Sequence, residues 1–308
     1  MIFKYRHIAR PFPINDHTIN VQPLHAQWLD EHQVQLDVLR LDEVHPVVSG
    51  NKWYKLHFYL QEAIAQNVDT IATFGGAYSN HIVAAAYACN AVGLKSIGII
   101  RGEEPATYSH TLLQAKAHGM QLHFVSRESY KQKEALQILY PTAYWINEGG
   151  YGEKGVAGAA LILQQLSHVE EYTHITCAAG TGTTLAGIVS CALPHQTIIG
   201  ISALKGYLSL ENEVKKWLPS SVLQQPFTIA HHFHFGGYAR CNAALLKYMN
   251  DVWQAHHLPT DFVYTAKALY GTEMMIRQKI IPPGSRVLMV HTGGLQGNLS
   301  LPAGTLAF

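Results

Sequence analysis

The sequence predicts an α/β protein, and three observations carry that prediction. Short apolar runs alternate with longer segments of helical periodicity over most of the chain. Glycine-rich turns follow several of the apolar runs, as they do where a strand leads into a helix. No internal repeat and no low-complexity linker interrupts the alternation. We therefore expect two domains, each a mostly parallel twisted sheet with helices on both faces.

The first half of the chain supplies five predicted strands. Gln35 to Leu41 alternates polar and apolar residues, the pattern of a half-buried strand, and four apolar runs follow at residues 70–74, 96–100, 122–125 and 144–146. Helical patterns lie between them, beginning near Lys52 and then covering residues 82–92, 110–118 and 127–139. Residues 1–34 are expected to be irregular, with turns at Pro11, Pro13 and Pro23.

The second half repeats the pattern. Apolar or β-branched runs predict strands at residues 173–178, 197–201, 227–235 and 286–290. Helical periodicity predicts helices at residues 156–166, 185–191, 210–218, 242–254 and 266–278.

Charge and composition exclude several classes of protein. The 22 basic and 21 acidic residues give a net charge of +1 without any basic block, so neither nucleic acid nor a membrane surface is expected as a partner. No run reaches the ~18 apolar residues of a membrane helix. The N-terminus has no apolar signal-peptide core, and the four cysteines are widely spaced, so we expect a cytoplasmic protein. Only 14% of the residues are charged, which fits burial in an oligomer.

The sequence is organised around Ser49-Gly50-Asn51-Lys52, a turn that leads into an apolar helical pattern. Asn51 stands where a helix takes its cap. Lys52 would then lie in the first helical turn, where the positive end of the helix dipole disfavours a cation. That placement favours the neutral amine, the form that bonds covalently to a carbonyl group. The alternative interpretation is a surface lysine on an amphipathic helix.

Two glycine-rich turns can bind anions at helix N-termini. The turn Gly75–His81 contains Ser79-Asn80 at a helix start and suits a carboxylate. The turn Gly180-Thr181-Gly182-Thr183-Thr184 offers close backbone approach and several hydroxyls, and it suits a phosphate. This second turn lacks the GxGxxG spacing with a following acidic residue and the GxxxxGKS/T pattern, so a dinucleotide or a nucleoside triphosphate is disfavoured. Either turn can also be read as an ordinary tight connection.

Five motifs occur in one order along the chain: Gly50-Asn51-Lys52-x-x-Lys55-Leu56, Gly75-Gly76-x-x-Ser79-Asn80-His81, the Gly180–Thr184 turn, Val263-Tyr264-Thr265-x-Lys267-Ala268, and His291-Thr292-Gly293-Gly294. Together they resemble the pyridoxal-phosphate (PLP) family of 1-aminocyclopropane-1-carboxylate (ACC) deaminase and D-cysteine desulfhydrase, which shares the fold of the tryptophan synthase β subunit. The resemblance implies PLP fold type II and a homodimer. It also implies a large cofactor-binding domain at residues 1–50 plus 155–308 and a small domain at residues 51–154, with the cofactor in the cleft between them.

The resemblance also implies roles for individual residues. Lys52 matches the lysine that binds the cofactor covalently, and Asn51 matches its neighbour, which contacts the ring oxygen. The residues matching the phosphate cup are Gly180, Thr181, Gly182, Thr183 and Thr184. The residues matching the seat of the substrate carboxylate are Ser79, Asn80 and His81. Tyr264 and Tyr238 match two tyrosines beside the substrate, and Thr292 matches the residue near the pyridine nitrogen. The catalytic set implied in this way is Lys52, Tyr264, Tyr238 and Ser79.

Departures from the family pattern bear on the substrate. In ACC deaminases a glutamate that pairs with the pyridine nitrogen follows the matching tyrosine, and Thr265 stands there instead. A hydroxyl makes the ring a weaker electron sink, which favours β-elimination over opening of a cyclopropane. We therefore expect β-elimination from D-cysteine or a related small amino acid, giving pyruvate and ammonia. Tyr54 and Tyr151 also depart from the pattern, in which many members have arginine and serine.

Two alternatives remain open at this point. One is ACC deaminase activity, giving 2-oxobutyrate and ammonia. The other is a non-catalytic amino-acid-binding or regulatory protein on the same fold, because the pocket around Tyr54 and Tyr151 is altered. No metal is expected: His232 and His234 would share one face of a predicted strand, but no cysteine or carboxylate flanks them at ligand spacing.

Overall fold

The computed structural model describes residues 19–222 and 225–308, and the described chain divides into two compact units. The first unit comprises His45–Val48 and Lys52–Gly158, and the second comprises residues 19–44, Ser49–Asn51 and Ala159–Phe308. Pro11 and Pro13 lie outside the described residues.

The strands, in chain order, are β1 Val21–Leu24, β2 Gln35–Arg40, β3 Thr70–Gly76, β4 Lys95–Arg101, β5 Met120–Val125, β6 Tyr144–Ile146, β7 His174–Ala179, β8 Thr197–Ser202, β9 Phe227–Ala230 and β10 Arg286–His291. The α-helices are α1 Gln27–His32, α2 Asn51–Ala65, α3 Asn80–Ala91, α4 His110–Ala117, α5 Lys133–Ile138, α6 Glu153–Gln164, α7 Thr183–Cys191, α8 Leu210–Lys215, α9 Ala243–His256 and α10 Thr265–Arg277. Short 3₁₀ turns include Leu41–Glu43 and Glu148–Gly150.

The first unit contains a four-stranded sheet in the order β5-β4-β3-β6, and all of its pairings are parallel. Strand β3 is central and is buried over residues 71–75, as expected for a strand covered on both faces. The ring of Phe74 stacks on Trp145 and meets Tyr130 edge-on. Gly75-Gly76 ends β3, and α3 follows with Ser79 as its N-terminal cap residue. The Ser79-Asn80 segment therefore lies just beyond the carboxyl end of β3.

The second unit contains a six-stranded sheet in the order β1-β2-β10-β7-β8-β9. Its pairings are parallel except for β1 against β2, which is antiparallel. Strands β10 and β7 are adjacent, so the loops that follow them, Thr292-Gly293-Gly294 and Gly180–Gly182, leave the same edge of the sheet. The prediction of an α/β fold with mostly parallel sheets is confirmed.

Three sequence predictions about elements are wrong. Residues 21–32 are not irregular: they form β1 and α1, and Pro23 lies in β1, an edge strand where a missing N–H is tolerated. The helix predicted at residues 127–139 is interrupted, because Gln132 has non-helical angles between a 3₁₀ turn and α5. The strand predicted at residues 227–235 ends at Ala230, so the histidines that follow are not on a strand. In the described residues, no helix combines the length and apolar character needed to cross a membrane.

Helices α2 and α6 approach closely within the first unit. A Cβ added to Gly158 would lie 2.0 Å from the carbonyl oxygen of Tyr54 and 3.3 Å from the Cα of Lys55. The obstacle is backbone, which cannot move aside as a flexible side chain can. Glycine at position 158 therefore determines how closely α6 packs on the part of α2 that follows Lys52.

The substitution Gly158→Ala should lower the free energy of unfolding by about 3 kcal/mol, because the added methyl group forces the two helices apart. Denaturant unfolding measures the change. Gly76→Ala is the matched control in the same unit, because its Cβ would meet only the side chain of Arg101, at 3.7 Å. Equal stabilities of the two variants would contradict the proposed role of Gly158.

Candidate active site

The turn that precedes Lys52 is fixed by backbone contacts within the second unit. Gly50 has φ +70°, and a Cβ there would lie 2.0 Å from the carbonyl oxygen of Thr292. Its N–H donates to the Leu41 carbonyl (2.7 Å), and the Asn51 N–H donates to the Thr292 carbonyl (3.1 Å). Only glycine combines this left-handed conformation with this close approach. The loop after β10 therefore holds the residues that start α2.

Asn51 is bound to the glycine-threonine turn. It is the first residue of α2 rather than the residue before it, so the helix begins one residue earlier than predicted. Its side-chain amide donates to Thr184 Oγ1 at 2.9 Å, and Thr184 lies in the first turn of α7. The sequence prediction placed both residues at one cofactor, and the structure brings them into direct contact.

The glycine-threonine turn has the features of an anion-binding loop. Gly182 has φ +82° and caps α7, whose first turn contains Thr183 and Thr184 and no acidic residue. The hydroxyls of Thr181 and Thr183 are 3.1 Å apart. Helix N-terminal N–H groups and several hydroxyls suit a phosphate. Glycine at position 180 leaves room for the Tyr264 ring, since an added Cβ would lie 3.3 Å from it.

Tyr264 and Tyr238 lie together in the second unit. Their ring centroids are 6.0 Å apart and the rings meet at 66°, an edge-to-face arrangement. Tyr264 is half-buried at the start of α10, whereas Tyr238 is exposed. Because Gly180 also faces Tyr264, one phosphate-type turn and two phenols share this region of the second unit. The structure thus groups three of the sequence-predicted features.

Thr265 is fully bonded to Asp261. Its hydroxyl donates to Asp261 Oδ1 (2.8 Å) and accepts the Asp261 N–H (2.7 Å). The Asp261 carboxylate also accepts the N–H groups of Val263, Tyr264 and Thr265 at 2.8–2.9 Å. Burial raises the pKa of Asp261, while these hydrogen bonds act to lower it. The Thr265 hydroxyl therefore has a structural task at the start of α10.

A buried charged cluster supports the loop after β10. His291 Nδ1 lies 2.9 Å from Asp42 Oδ1, and Nε2 donates to the Pro259 carbonyl at 2.9 Å. Arg40 pairs with the same Asp42 at 2.7 Å. Burial by itself raises the pKa of Asp42, but the charges and hydrogen bonds of His291 and Arg40 outweigh it and hold that pKa well below its ordinary value. The cluster fixes the residue immediately before Thr292.

Lys52 belongs to a group of basic side chains in the first unit. Burial lowers the pKa of Lys55 well below its ordinary value, and the charge of Lys52 lowers it further. Burial likewise lowers the pKa of His81, with further contributions from Lys52 and Lys55. The turn at Gly150 packs on Lys55, since a Cβ there would lie 3.3 Å from Lys55 Cβ. Burial and mutual repulsion therefore favour the neutral forms of Lys55 and His81.

The tautomer of His81 follows from its partners. Thr73 Oγ1 donates its only proton to the Ile146 carbonyl at 2.8 Å, so His81 Nε2, also 2.8 Å from Thr73 Oγ1, must donate to it. Nδ1 then carries a lone pair. Among the described residues, His81 Nδ1 and Asn80 Oδ1 are buried without a hydrogen-bond partner. Both are acceptors, so they suit a ligand's donor group, whereas the Ser79 hydroxyl and the N-terminus of α3 suit a carboxylate.

Tyr54 and Tyr151 lie in different environments. Tyr54 is entirely buried, its hydroxyl has no hydrogen-bond partner in the described part of the chain, and burial raises its pKa. The Tyr151 backbone carbonyl accepts the Tyr59 hydroxyl at 2.8 Å. Tyr54 is therefore a core aromatic residue.

Sequence reasoning assigned no role to five residues with buried side chains: Asp42, Lys55, Asp261, Lys267 and His291. Lys55, Lys267 and His291 stand in the quoted motifs, whereas Asp42 and Asp261 do not. Asp42 and His291 carried a usable signal, because each follows or ends a predicted strand. In the segment His231–His234, His231 has an acidic neighbour that is remote in sequence: its Nε2 lies 2.9 Å from Glu211 Oε1. No group of three potential metal ligands occurs within residues 19–222 and 225–308.

Comparison with known proteins defines the class of this protein. A family model described as pyridoxal-phosphate dependent enzyme matches residues 17–293. The chain therefore belongs to that family. It is 28% identical over 324 aligned residues to the mitochondrial bifunctional D-cysteine desulfhydrase/1-aminocyclopropane-1-carboxylate deaminase of Arabidopsis thaliana, covering 92% of this chain and 80% of that protein. It is 25% identical over 281 residues to D-cysteine desulfhydrase of Salmonella typhi, covering 83% and 86% respectively.

Solved structures agree on the fold. The crystal structure of an ACC deaminase homologue matches with a TM-score of 0.79 at 25% identity, over 96% of this chain and 95% of that one. A fungal L-serine ammonia-lyase from Rhizomucor miehei matches with a TM-score of 0.64 at 14% identity, covering 89% of this chain and 93% of that one, which shows the shared fold.

The residues present fit pyridoxal phosphate. The turn from Gly180 to Thr184 supplies a helix N-terminus, a left-handed glycine and neighbouring hydroxyls, as a phosphate requires. Lys52 stands directly after Asn51, whose amide contacts that turn. The prediction of the cofactor is confirmed, because this family depends on pyridoxal phosphate.

The substitution Asp42→Asn should destabilise the protein by about 3 kcal/mol at neutral pH, because His291 and Arg40 lose a buried anion. The pKa of Asp42 is lowered by folding, so its contribution is fully present above the unfolded pKa of about 4 and is lost as pH falls further. Urea unfolding at several pH values measures this. A constant difference between the variant and the wild type down to the most acidic pH would contradict it.

Proposed function

We propose that this protein is a PLP-dependent lyase that catalyses β-elimination from D-cysteine or a related small D-amino acid. With D-cysteine and water, the products are pyruvate, ammonia and hydrogen sulfide. The observation that supports this substrate class is the bonding of Thr265. A threonine stands where ACC deaminases have a glutamate, and its hydroxyl is already occupied by Asp261. Strong protonation of the ring nitrogen by a carboxylate at that position is therefore not available.

The proposed roles follow from the chemistry of each side chain. The cofactor supplies an electron sink for the bond that breaks at the substrate Cα. Lys52 binds the cofactor and then accepts or returns a proton at the substrate Cα. Asn51 orients the cofactor, and the residues Gly180, Thr181, Gly182, Thr183 and Thr184 hold its phosphate. Thr292 would be the residue near the ring nitrogen.

The substrate is proposed to bind at the start of α3. Ser79 and the helix N-terminus hold its carboxylate, because they supply donors. Asn80 and His81 place two buried acceptors next to them, and these suit the donor group of the substrate's β-substituent, an S–H or O–H. Tyr238 and Tyr264 carry phenols that can protonate the leaving group once they are close to it.

ACC deaminase activity is the second candidate, and the bifunctional Arabidopsis relative is the observation that favours it. The two activities differ in their products. Incubation with D-cysteine or D-serine should yield pyruvate, and incubation with ACC should yield no appreciable 2-oxobutyrate. Appreciable 2-oxobutyrate from ACC would show that the inference from Thr265 is wrong. A separate incubation with L-cysteine, compared with D-cysteine by the pyruvate formed, tests the stereochemical part of the proposal.

The substitution Lys52→Ala should lower turnover by about a thousandfold or more, because both the covalent attachment and the proton carrier are lost. The visible absorbance of lysine-bound cofactor should disappear as well. Lys95→Ala is the matched control, since Lys95 is an exposed residue of β4 paired with Asp69. A wild-type protein that stays colourless after incubation with pyridoxal phosphate would instead favour a non-catalytic amino-acid-binding protein.

We further propose a cytoplasmic homodimer. The low charged fraction of 14% supports an oligomer, and the widely spaced cysteines support a reducing compartment. In the described residues all four cysteines are free thiols. Sedimentation equilibrium measures the subunit number, and a monomer at micromolar concentration would contradict the proposed homodimer.

A further inference from the structure

The segment from Phe235 to Ala239 has an unusual backbone. Phe235 and Ala239 have φ of 48° and 51°, and the glycines between them, Gly236 and Gly237, have φ of 96° and 112°. Residues with a Cβ rarely adopt this left-handed region and are strained there. Glycine adopts this conformation freely, so the surrounding structure must enforce it only at Phe235 and Ala239. The fifth residue is Tyr238, one of the two phenols of the candidate site.

One buried side chain is bonded to the centre of this segment. Lys267 Nζ donates to the Gly237 carbonyl oxygen at 2.7 Å, and Lys267 is wholly buried in α10. Gly237 also packs against Lys205, since a Cβ added to Gly237 would lie 3.2 Å from Lys205 Cβ. The carbonyl that accepts the Lys267 hydrogen bond belongs to the peptide group that joins Gly237 to Tyr238. Its position therefore determines where the Tyr238 side chain begins.

Tyr238 extends from this fixed peptide toward Tyr264. Its side chain is 53% exposed, so packing alone does little to hold it, and the neighbouring aromatic ring is that of Tyr264, 6.0 Å away. Tyr264 and Lys267 both belong to the beginning of α10, because Tyr264 is its N-terminal cap residue. The same helix end therefore carries one phenol and the cation that places the other.

We propose that Lys267 is a positioning residue whose buried ammonium group fixes the Gly237–Tyr238 peptide and thereby sets the position of the Tyr238 phenol relative to Tyr264. The predicted effect on turnover rests on the proposed function, in which Tyr238 acts on the substrate. The predicted effect on the backbone of residues 235–239 does not depend on that function.

The surroundings of Lys267 make this bond sensitive to pH. Burial lowers the pKa of Lys267 to about 8, while the charges of Asp261 and Cys241 act in the opposite direction. Asp261 precedes α10, and Cys241 follows the strained segment. On the other side of the segment, burial lowers the pKa of His234, and the charges of Lys205 and Lys267 add to that effect. As pH rises past about 8, the ammonium becomes a neutral amine and a weaker donor to the carbonyl.

Hydrogen exchange in the resting protein tests the positional part without any substrate. After correction for intrinsic rates, protection of the peptide containing residues 235–240 should fall about fivefold as pH rises from about 7 to 9. Lys267→Met should show the lower protection throughout, with no such fall. Lys247→Met is the control, because Lys247 is an exposed lysine of α9 paired with Asp251, and it should behave as the wild type.

Several outcomes would overturn the proposal. If protection in the wild-type protein does not change over this pH range, the titrating bond does not hold the segment, and this result needs no variant. A folded Lys267→Met protein that keeps the wild-type pH dependence would have the same meaning. If Lys267→Met does not fold, Lys267→Arg keeps the cation, and its protection should persist at the alkaline pH.

Kinetics then link the segment to turnover. With whichever amino acid proves to be a substrate, kcat of the wild type should decline as pH rises past about 8, because the Lys267 ammonium is lost. Lys267→Met should lower kcat by about tenfold, change KM by less than about twofold and show no such decline. Loss of protection without these kinetic changes would place Lys267 in a structural role only. Absence of any lyase activity would contradict the proposed function and leave the exchange result to be judged separately.

Discussion

The close approach of Gly50 to the Thr292-Gly293 backbone is the constraint on which the candidate site depends. A single added methyl group would overlap the Thr292 carbonyl oxygen, and that oxygen accepts the Asn51 N–H. The start of α2 is thereby tied to the end of β10. Lys52, the proposed cofactor-binding lysine, is the next residue in the chain.

Buried charged side chains support the backbone of the predicted site residues. Asp42 with His291 supports the loop after β10, Asp261 supports the start of α10, and Lys267 supports the segment containing Tyr238. Each of these groups bonds to backbone or to another buried charge. Such groups are costly to bury unless they are satisfied, so their arrangement restricts the backbone to few alternatives. As a result, the backbone rigidly positions side chains that have few contacts of their own.

The first unit contributes a different environment. Lys55 and His81 are buried next to the charge of Lys52, and burial together with mutual repulsion favours their neutral forms. A neutral His81 that donates to Thr73 presents a lone pair at Nδ1. The unit therefore offers both donors and acceptors near the start of α3. That combination supports the proposal of an amino-acid substrate.

The sequence by itself determined the alternation of strands and helices and the cofactor family, and it predicts Lys52 and Gly180–Thr184 as cofactor-binding residues, because these depend on local periodicity and on contiguous motifs. Only the tertiary structure decided which distant groups meet. Asp42 and His291 are adjacent because β2 and β10 pair in register, and Lys267 reaches Gly237 because α10 packs beside the strained segment. Such contacts join residues far apart in the chain, and no local pattern encodes them.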